Sequence, residues 1–355
     1  MGARGRAGLA RQVPRPSGRS RGDPWSARQA KIRFSTTRCS VSQTAYYWDA
    51  VSLEHDTGMH VESIARAERL SPDHIRRLLI DLNARPLIEH DEERWIARVH
   101  SKTYRDWVTE SCRTGRRLLD QGDTVVCPRS YDAALGSVRA ALTACDAVMA
   151  GGEVASAFCA MRPPGHHALP GSAMGFCLFA NISVAAKYLQ EHHRIGRIAI
   201  IDWDVHHGNG TQAIFYEDPT VFFVSLHQHP LWPGTGMADE RGSGDGRGFT
   251  LNIPIAPATS EMVYLDVFRT QVVPAVRNFK PEFVLISAGF DAHRDDPLGG
   301  LMLTEQGFAS LTREVRQIAD EFAGGRIVSL LEGGYNLSAL EASVAAHVRA
   351  LAAAH

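Results

Sequence analysis

The stretch RIAIIDWDVHHGNG, residues 197–210, runs from branched apolar residues straight into Asp202, Asp204, His206 and His207, with Gly208 and Gly210 on either side of Asn209. An unbroken apolar run of this length reads as a strand buried on both faces, which is the habit of a parallel sheet. Two carboxylates and two imidazoles directly behind such a strand point to chemistry at its carboxyl end.

Other runs repeat the pattern. ASAFCAM (155–161), VFFVSL (221–226), FTLNIP (249–254), FVLISA (283–288) and RIVSLL (326–331) are short and mostly apolar. Helical periodicity covers 131–149, 178–191, 262–278, 304–322 and 337–354. Strands alternating with helices predict a single α/β domain with a mainly parallel central sheet and helices on both faces. VFFVSL and FTLNIP are joined by a polar, Gly-rich loop instead of a helix. Polar, Gly-rich segments follow the strands: RPPGHHA, WDVHHGNG, HQHPLWPGTG, GFDAHRDDPLGG and EGGYNL. Open parallel sheets bind ligands beyond the carboxyl ends of their strands, so these loops are expected to converge on one pocket.

The chain has 355 residues, 44% hydrophobic and 22% charged, which suits one large domain. A net charge of −1 gives no electrostatic case for nucleic acid or a membrane surface. No run approaches eighteen consecutive apolar residues. The six cysteines (39, 112, 127, 145, 159 and 177) form no C-x-x-C pair and read as reduced, core-filling thiols. The first 48 residues differ, with nine Arg and one Lys against the single acid Asp23, and prolines at 14, 16 and 24. Residues 1–44 are therefore expected to be a basic, disordered segment ahead of a domain spanning 45–355. A cytoplasmic location is expected, with a mitochondrion or plastid as the alternative if the segment is a transit peptide.

The chemistry sits in the loops. In extended backbone a D-x-H pair puts Asp204 and His206 on one side, and Asp291 can reach the same point from another strand end. Two carboxylates and an imidazole with room for water make an open site suited to catalytic Zn2+, while Fe2+ or Co2+ would accept the same ligands. His166 and His167 in tandem, with Asp202 and Asn209 available to hold their rings, suit proton transfer. Tyr335, after Gly333 and Gly334, could donate to a developing oxyanion. Phe176 and Trp232, aromatic residues in Gly-rich loops, could flank a slot for an alkyl chain.

RPPGHHA, GFCLFAN, DWDVHHGNGTQ, SLHQHPLWPGTG, SAGFDAHRDDPLGG and LEGGYNL, in this order from about residue 44 to the C-terminus, resemble the zinc-dependent histone deacetylase family, class II and bacterial members above all. The resemblance implies the arginase–deacetylase fold and zinc on Asp204, His206 and Asp291. It implies Asp202 behind His166, Asn209 behind His167, and His167 as the principal base. Tyr335 would polarise the acetyl carbonyl, Phe176 and Trp232 would line the tunnel, and Gly175 and Gly334 would belong to the substrate-binding set. A structural K+ site is implied at Asp202, Asp204, His206, Ser225 and Leu226, and a second at Phe215, Asp218, Val221 and Phe249. The family's early His-Pro-Glu block appears here as HVESIAR, which lacks both prolines but retains His60, Glu62 and Arg66. DPLG puts Leu298 where an acetylpolyamine-preferring relative carries glutamate.

The expected activity is hydrolysis of N-acetyl amides, the ε-N-acetyl-lysine of proteins first and acetylpolyamine or another small acetylated amine second. An arginase-like two-metal hydrolase would require more carboxylates than the Asp204–His206 segment supplies. A silent acyl-lysine reader would have no use for the histidine pair and the tyrosine, and a nucleic-acid binder would rest on the basic segment alone. Whether the chain forms a homo-oligomer is left open.

Overall fold

The computed structural model describes residues 43–120 and 122–353. Eight strands form one all-parallel sheet: β1 (Gln43–Tyr47), β2 (Asn83–Arg85), β3 (Val154–Cys159), β4 (Ile198–Asp202), β5 (Val221–Gln228), β6 (Thr250–Ile255), β7 (Phe283–Ala288) and β8 (Ile327–Leu331). Their spatial order is β2-β1-β3-β8-β7-β4-β5-β6. The strands expected from the apolar runs are β3 to β8. β1 takes in Gln43 and Thr44, ahead of the expected domain start, and the basic segment before them lies outside the described residues.

Every residue of β4, β5, β7 and β8 is buried, as double coverage of a parallel sheet requires. Successive side chains alternate between two cores. Ile198, Ile200, Leu285 and Val328 face one, packed by the Ser130–Ala150 and Asn181–Glu191 helices. Ala199, Ile201, Val284, Ile286 and Ile327 face the other, packed by Glu305–Phe322 and Leu337–Ala352. The Ser130–Ala150 helix is long and apolar enough to cross a membrane by composition, and 67% of its most apolar window is buried inside the protein. Cys112, Cys145, Cys159 and Cys177 are free and buried, and Cys127 is free and half-buried.

Three departures from the sequence pattern have local causes. The helix expected at 262–278 is interrupted by a π-helical turn, Phe268–Val272, just before Pro274. Proline has no N–H to give the preceding turn, and the wider turn absorbs the defect. The helix expected from 178 starts at Asn181, because Leu178 and Ala180 are held otherwise: the Tyr104 hydroxyl donates to Leu178 O, and Ala180 N donates to His100 Nε2. An unanticipated helix, Lys102–Arg113, is capped by Ser101, whose hydroxyl accepts from Tyr104 N at 3.2 Å.

The HVESIAR segment supplies a buried ion cluster. Glu62, fully buried, accepts from Arg162 Nε at 2.5 Å and Nη2 at 2.6 Å, and from Arg66 Nη1 at 3.0 Å. Burial alone would raise its pKa, but Arg162, then His55 and Arg66, bring it down to about 2. The loss of both prolines thus leaves the Glu62–Arg66 pair in place. Because the folded pKa lies below the ordinary value of 4.5, Glu62 contributes stability above that pH and loses it as pH falls toward 2. Glu62→Gln is expected to cost about 3–5 kcal/mol in urea unfolding at neutral pH, and to remove Glu62's share of the acid destabilisation over that window.

Candidate functional site

Loops from the carboxyl ends of β3, β4, β5, β7 and β8 meet on one side of the sheet. At their centre Asp204, His206 and Asp291 place one ligand atom each within 4.8 Å of one another. His206 Nδ1 lies 3.1 Å from Asp204 Oδ1 and 3.1 Å from Asp291 Oδ2. Both carboxylates are fully buried. Asp204 Oδ2 accepts from Gly333 N at 2.8 Å, and Asp291 Oδ1 accepts from Val205 N at 2.9 Å, so backbone N–H groups of the loops after β8 and β4 fix their aim. There is no room for larger residues around them. A Cβ at Gly333 would fall 2.1 Å from Asp291 Oδ2, and one at Gly289 would fall 2.2 Å from Asp204 Oδ2.

The electrostatics of this cluster call for a cation. Burial opposes a charged imidazole, yet hydrogen bonds to Asp204 and Asp291 push His206 up to about 10. Burial and the neighbouring Asp204 charge raise Asp291 to about 7. A divalent ion would replace the shared proton, leaving two carboxylates and a neutral imidazole as ligands. The donor set fits a borderline metal such as zinc, with His206 the only nitrogen.

The tandem histidines stand beside this cluster, their rings 3.9 Å apart between centroids. His166 Nδ1 meets Asp202 Oδ2 at 2.9 Å, and its Nε2 is 3.8 Å from Asp204 Oδ2. His167 Nδ1 meets Asn209 Oδ1 at 2.7 Å. Burial works against charging His166, but Asp202, Asp204 and Glu332 raise it well above the ordinary imidazole value. His167 moves the other way, lowered by burial and then by the charges of His166 and His206. A carboxylate behind one ring and an amide behind the other split two chemically identical groups.

Above the cluster a cavity of about 460 Å³ is lined by His167, Gly175, Phe176, His206, Trp232 and Tyr335, among others. Phe176 packs edge-on against Tyr335 at 5.9 Å, and Trp232 packs edge-on against His167 at 4.8 Å. Gly175 has φ +55°, and a Cβ there would fall 2.4 Å from the His167 ring and 2.6 Å from Trp232. Gly334 carries φ +120°, and its carbonyl accepts from Arg66 Nε at 2.7 Å. The Arg66 guanidinium also lies 5.0 Å over the Tyr335 ring. Asp202 pairs with Ser225 across β4 and β5, so the residues expected at the K+ site occupy adjacent strand ends. Asp218, expected at the second, spends its carboxylate on Lys187 at 2.8 Å and on Thr220.

Several site residues escaped sequence reading although they lie inside the quoted motifs. Glu332 Oε2 accepts from Gly165 N at 2.7 Å and His166 N at 3.1 Å, holding the histidine loop. Asp296 Oδ2 accepts from Tyr335 N at 2.7 Å and Asn336 N at 3.2 Å. Leu231, inside HQHPLWPGTG, and His60 and Val61, inside HVESIAR, also line the cavity, and Met59 and Asp123 reach it from positions outside every quoted stretch.

The family model described as "Histone deacetylase domain" matches residues 60–351. A rice (Oryza sativa subsp. japonica) protein, "Histone deacetylase 10, chloroplastic", is 43% identical over 72% of this chain. The chain spans only 60% of that protein's length. "Histone deacetylase-like amidohydrolase" from Pseudomonas aeruginosa is 38% identical, covering 83% of this chain and 82% of the relative. A solved structure, "Crystal Structure of HDA15 HD domain", superposes with a TM-score of 0.81 at 34% identity, covering 88% of each chain. The parallel sheet with helices on both faces is thus the arginase–deacetylase fold.

Gly333→Ala is expected to leave the secondary structure intact while driving the Asp204 and Asp291 carboxylates apart. Metal affinity should fall on the order of 10- to 100-fold, the usual scale for disturbing a ligand's support, as read by competition with a chromophoric chelator.

Proposed function

The chain belongs to the histone deacetylase family, and from that premise we propose that it is a zinc-dependent amidohydrolase acting on the ε-N-acetyl-lysine of proteins. The observation that carries this reading is the Asp204–His206–Asp291 cluster beneath a cavity walled by Phe176 and Trp232, with the His166–His167 pair beside it. Residues 45–355 would be the catalytic domain, a reading supported by the match over 60–351.

Asp204, His206 and Asp291 would hold Zn2+, which when bound supplies Lewis acidity and lowers the pKa of water toward about 7. The rest is work for the chain's own side chains. His167, kept uncharged by burial and by its charged neighbours, takes the proton of the attacking water while Asn209 holds its ring. His166, held by Asp202, keeps a proton at neutral pH and serves the departing amine as acid. The Tyr335 hydroxyl donates to the carbonyl oxygen as negative charge develops there, and its pKa, raised by burial, keeps it a donor. The Gly175 carbonyl accepts the substrate amide N–H, and the aromatic walls shed water from the alkyl chain. Asp202 and Ser225, with Asp204, His206 and Leu226, would hold K+ as a structural ion.

Small acetylated amines are the second reading, and the rim speaks against a cationic polyamine. Leu298, Leu231, Met59 and Val61 give the mouth an apolar surface with Asp123 as its carboxylate. The rice relative's name places that protein in the chloroplast, which favours the plastid alternative for this chain over a cytoplasmic location.

Tyr335→Phe is expected to retain zinc and lose about 100- to 1,000-fold in kcat, the usual effect of removing one oxyanion donor. Near-wild-type turnover would refute the assignment. A panel of acetyl-lysine peptides and acetylpolyamines, run with and without a chelator, tests the reaction class. Peptide turnover abolished by the chelator and restored by Zn2+ is expected; selective turnover of polyamines would shift the assignment to the second reading.

A further inference from the structure

A second group of metal-binding side chains lies away from the catalytic loops. Asp146 is in the last turn of the Ser130–Ala150 helix, which leads back to the start of β3. His192 and His193 follow directly on the Asn181–Glu191 helix, which leads back to the start of β4. The group therefore sits at the amino-terminal edge of the sheet, whereas the catalytic residues follow the strand ends.

Asp146, His192 and His193 offer ligand atoms that all lie within 4.8 Å of one another. His193 Nε2 is 2.7 Å from Asp146 Oδ1. His90, arriving from a third segment, puts Nε2 3.7 Å from Asp146 Oδ2. Neighbouring aromatic rings set the orientation of these groups. Tyr188 stacks on His192 at 4.8 Å with an interplanar angle of 8°, and packs edge-on against His193 at 5.2 Å. Trp95 closes on Tyr188 at 4.8 Å, and the Tyr188 hydroxyl donates to Asp146 Oδ1 at 2.6 Å. Three imidazoles around one carboxylate are more ring nitrogen than a simple ion pair uses.

From this geometry we propose that Asp146, His192 and His193, with His90 alongside, form a second binding site for a divalent transition metal, of the class that zinc and nickel represent. Ligands about 2.0–2.1 Å from a shared zinc stand roughly 3.3 Å apart, so closure asks for side-chain rotation without backbone movement. Imidazole with one carboxylate selects zinc, nickel or copper over magnesium and calcium. Such an ion would tie together the ends of two helices and the segment before Glu92–Ile96, and would stabilise the folded state by mass action.

The test uses the full-length holoenzyme. Wild type and a His192→Gln/His193→Gln variant are equilibrated with micromolar ZnCl2, desalted and counted for metal. Wild type is expected to carry one zinc more than the variant, whatever the catalytic centre holds, and added zinc should raise the Tm of wild type alone. Asp146→Asn, which keeps an acceptor for Tyr188 while giving up the ligand charge, should show the same loss. Equal zinc content in wild type and both variants would overturn the proposal, as would an equal Tm rise in all three proteins.

Discussion

Two carboxylates sealed from water a short way apart set the terms for everything around them. Taking even one ionised carboxylate out of water costs several kcal/mol unless positive charge and hydrogen bonds answer it. Here Asp204 and Asp291 are both wholly buried, and a single imidazole lies between them. The strand order delivers this arrangement. β4 and β7 are neighbours and present one carboxylate each, while β8, on the other flank of β7, contributes the Gly333 N–H. Any shift in the β4–β7 register would part the ligands.

The same low-dielectric setting separates the histidine pair. Water would leave two adjacent imidazoles nearly alike. In the interior a carboxylate behind His166 and an amide behind His167 are felt at close to full strength, and the two rings diverge. Glu332 adds to this from below: it anchors the histidine loop through two N–H groups while its charge bears on His166. The floor formed by Glu62, Arg66 and Arg162 is a separate ionic layer, joined to the site through the Gly334 carbonyl and the face of Tyr335.

The central strands and the ligand loops were legible because each carries its own local mark. IAII and FVLIS are apolar enough to exclude any exposed position, and D-x-H or G-H-H directly after such a run has little structural use. The edges were not. β2 has three residues of intermediate burial, and β1, QTAYY, mixes polar and aromatic residues that gain meaning only from pairing with β3. Glu332 and Asp296 lie inside recognised motifs, yet each serves backbone N–H groups from a different part of the fold, which no spacing within a motif encodes. The π turn before Pro274 was foreseeable from the proline, but periodicity alone passes straight over it.

The strand order also bears on how the molecule comes into being. β3 pairs early with β1 on one side, but its other side waits for β8, which sets Ser156 opposite Ile327, so the middle of the sheet stays open until β8 arrives. Contacts between segments so distant along the chain are slow to form, since the intervening polypeptide must first give up its freedom. A nascent chain leaving the ribosome would hold the histidines and the acidic pair well before the last strand and Tyr335 have emerged. Hydrolytic competence would therefore await β8, which closes the sheet between β3 and β7 and brings Tyr335 in behind it.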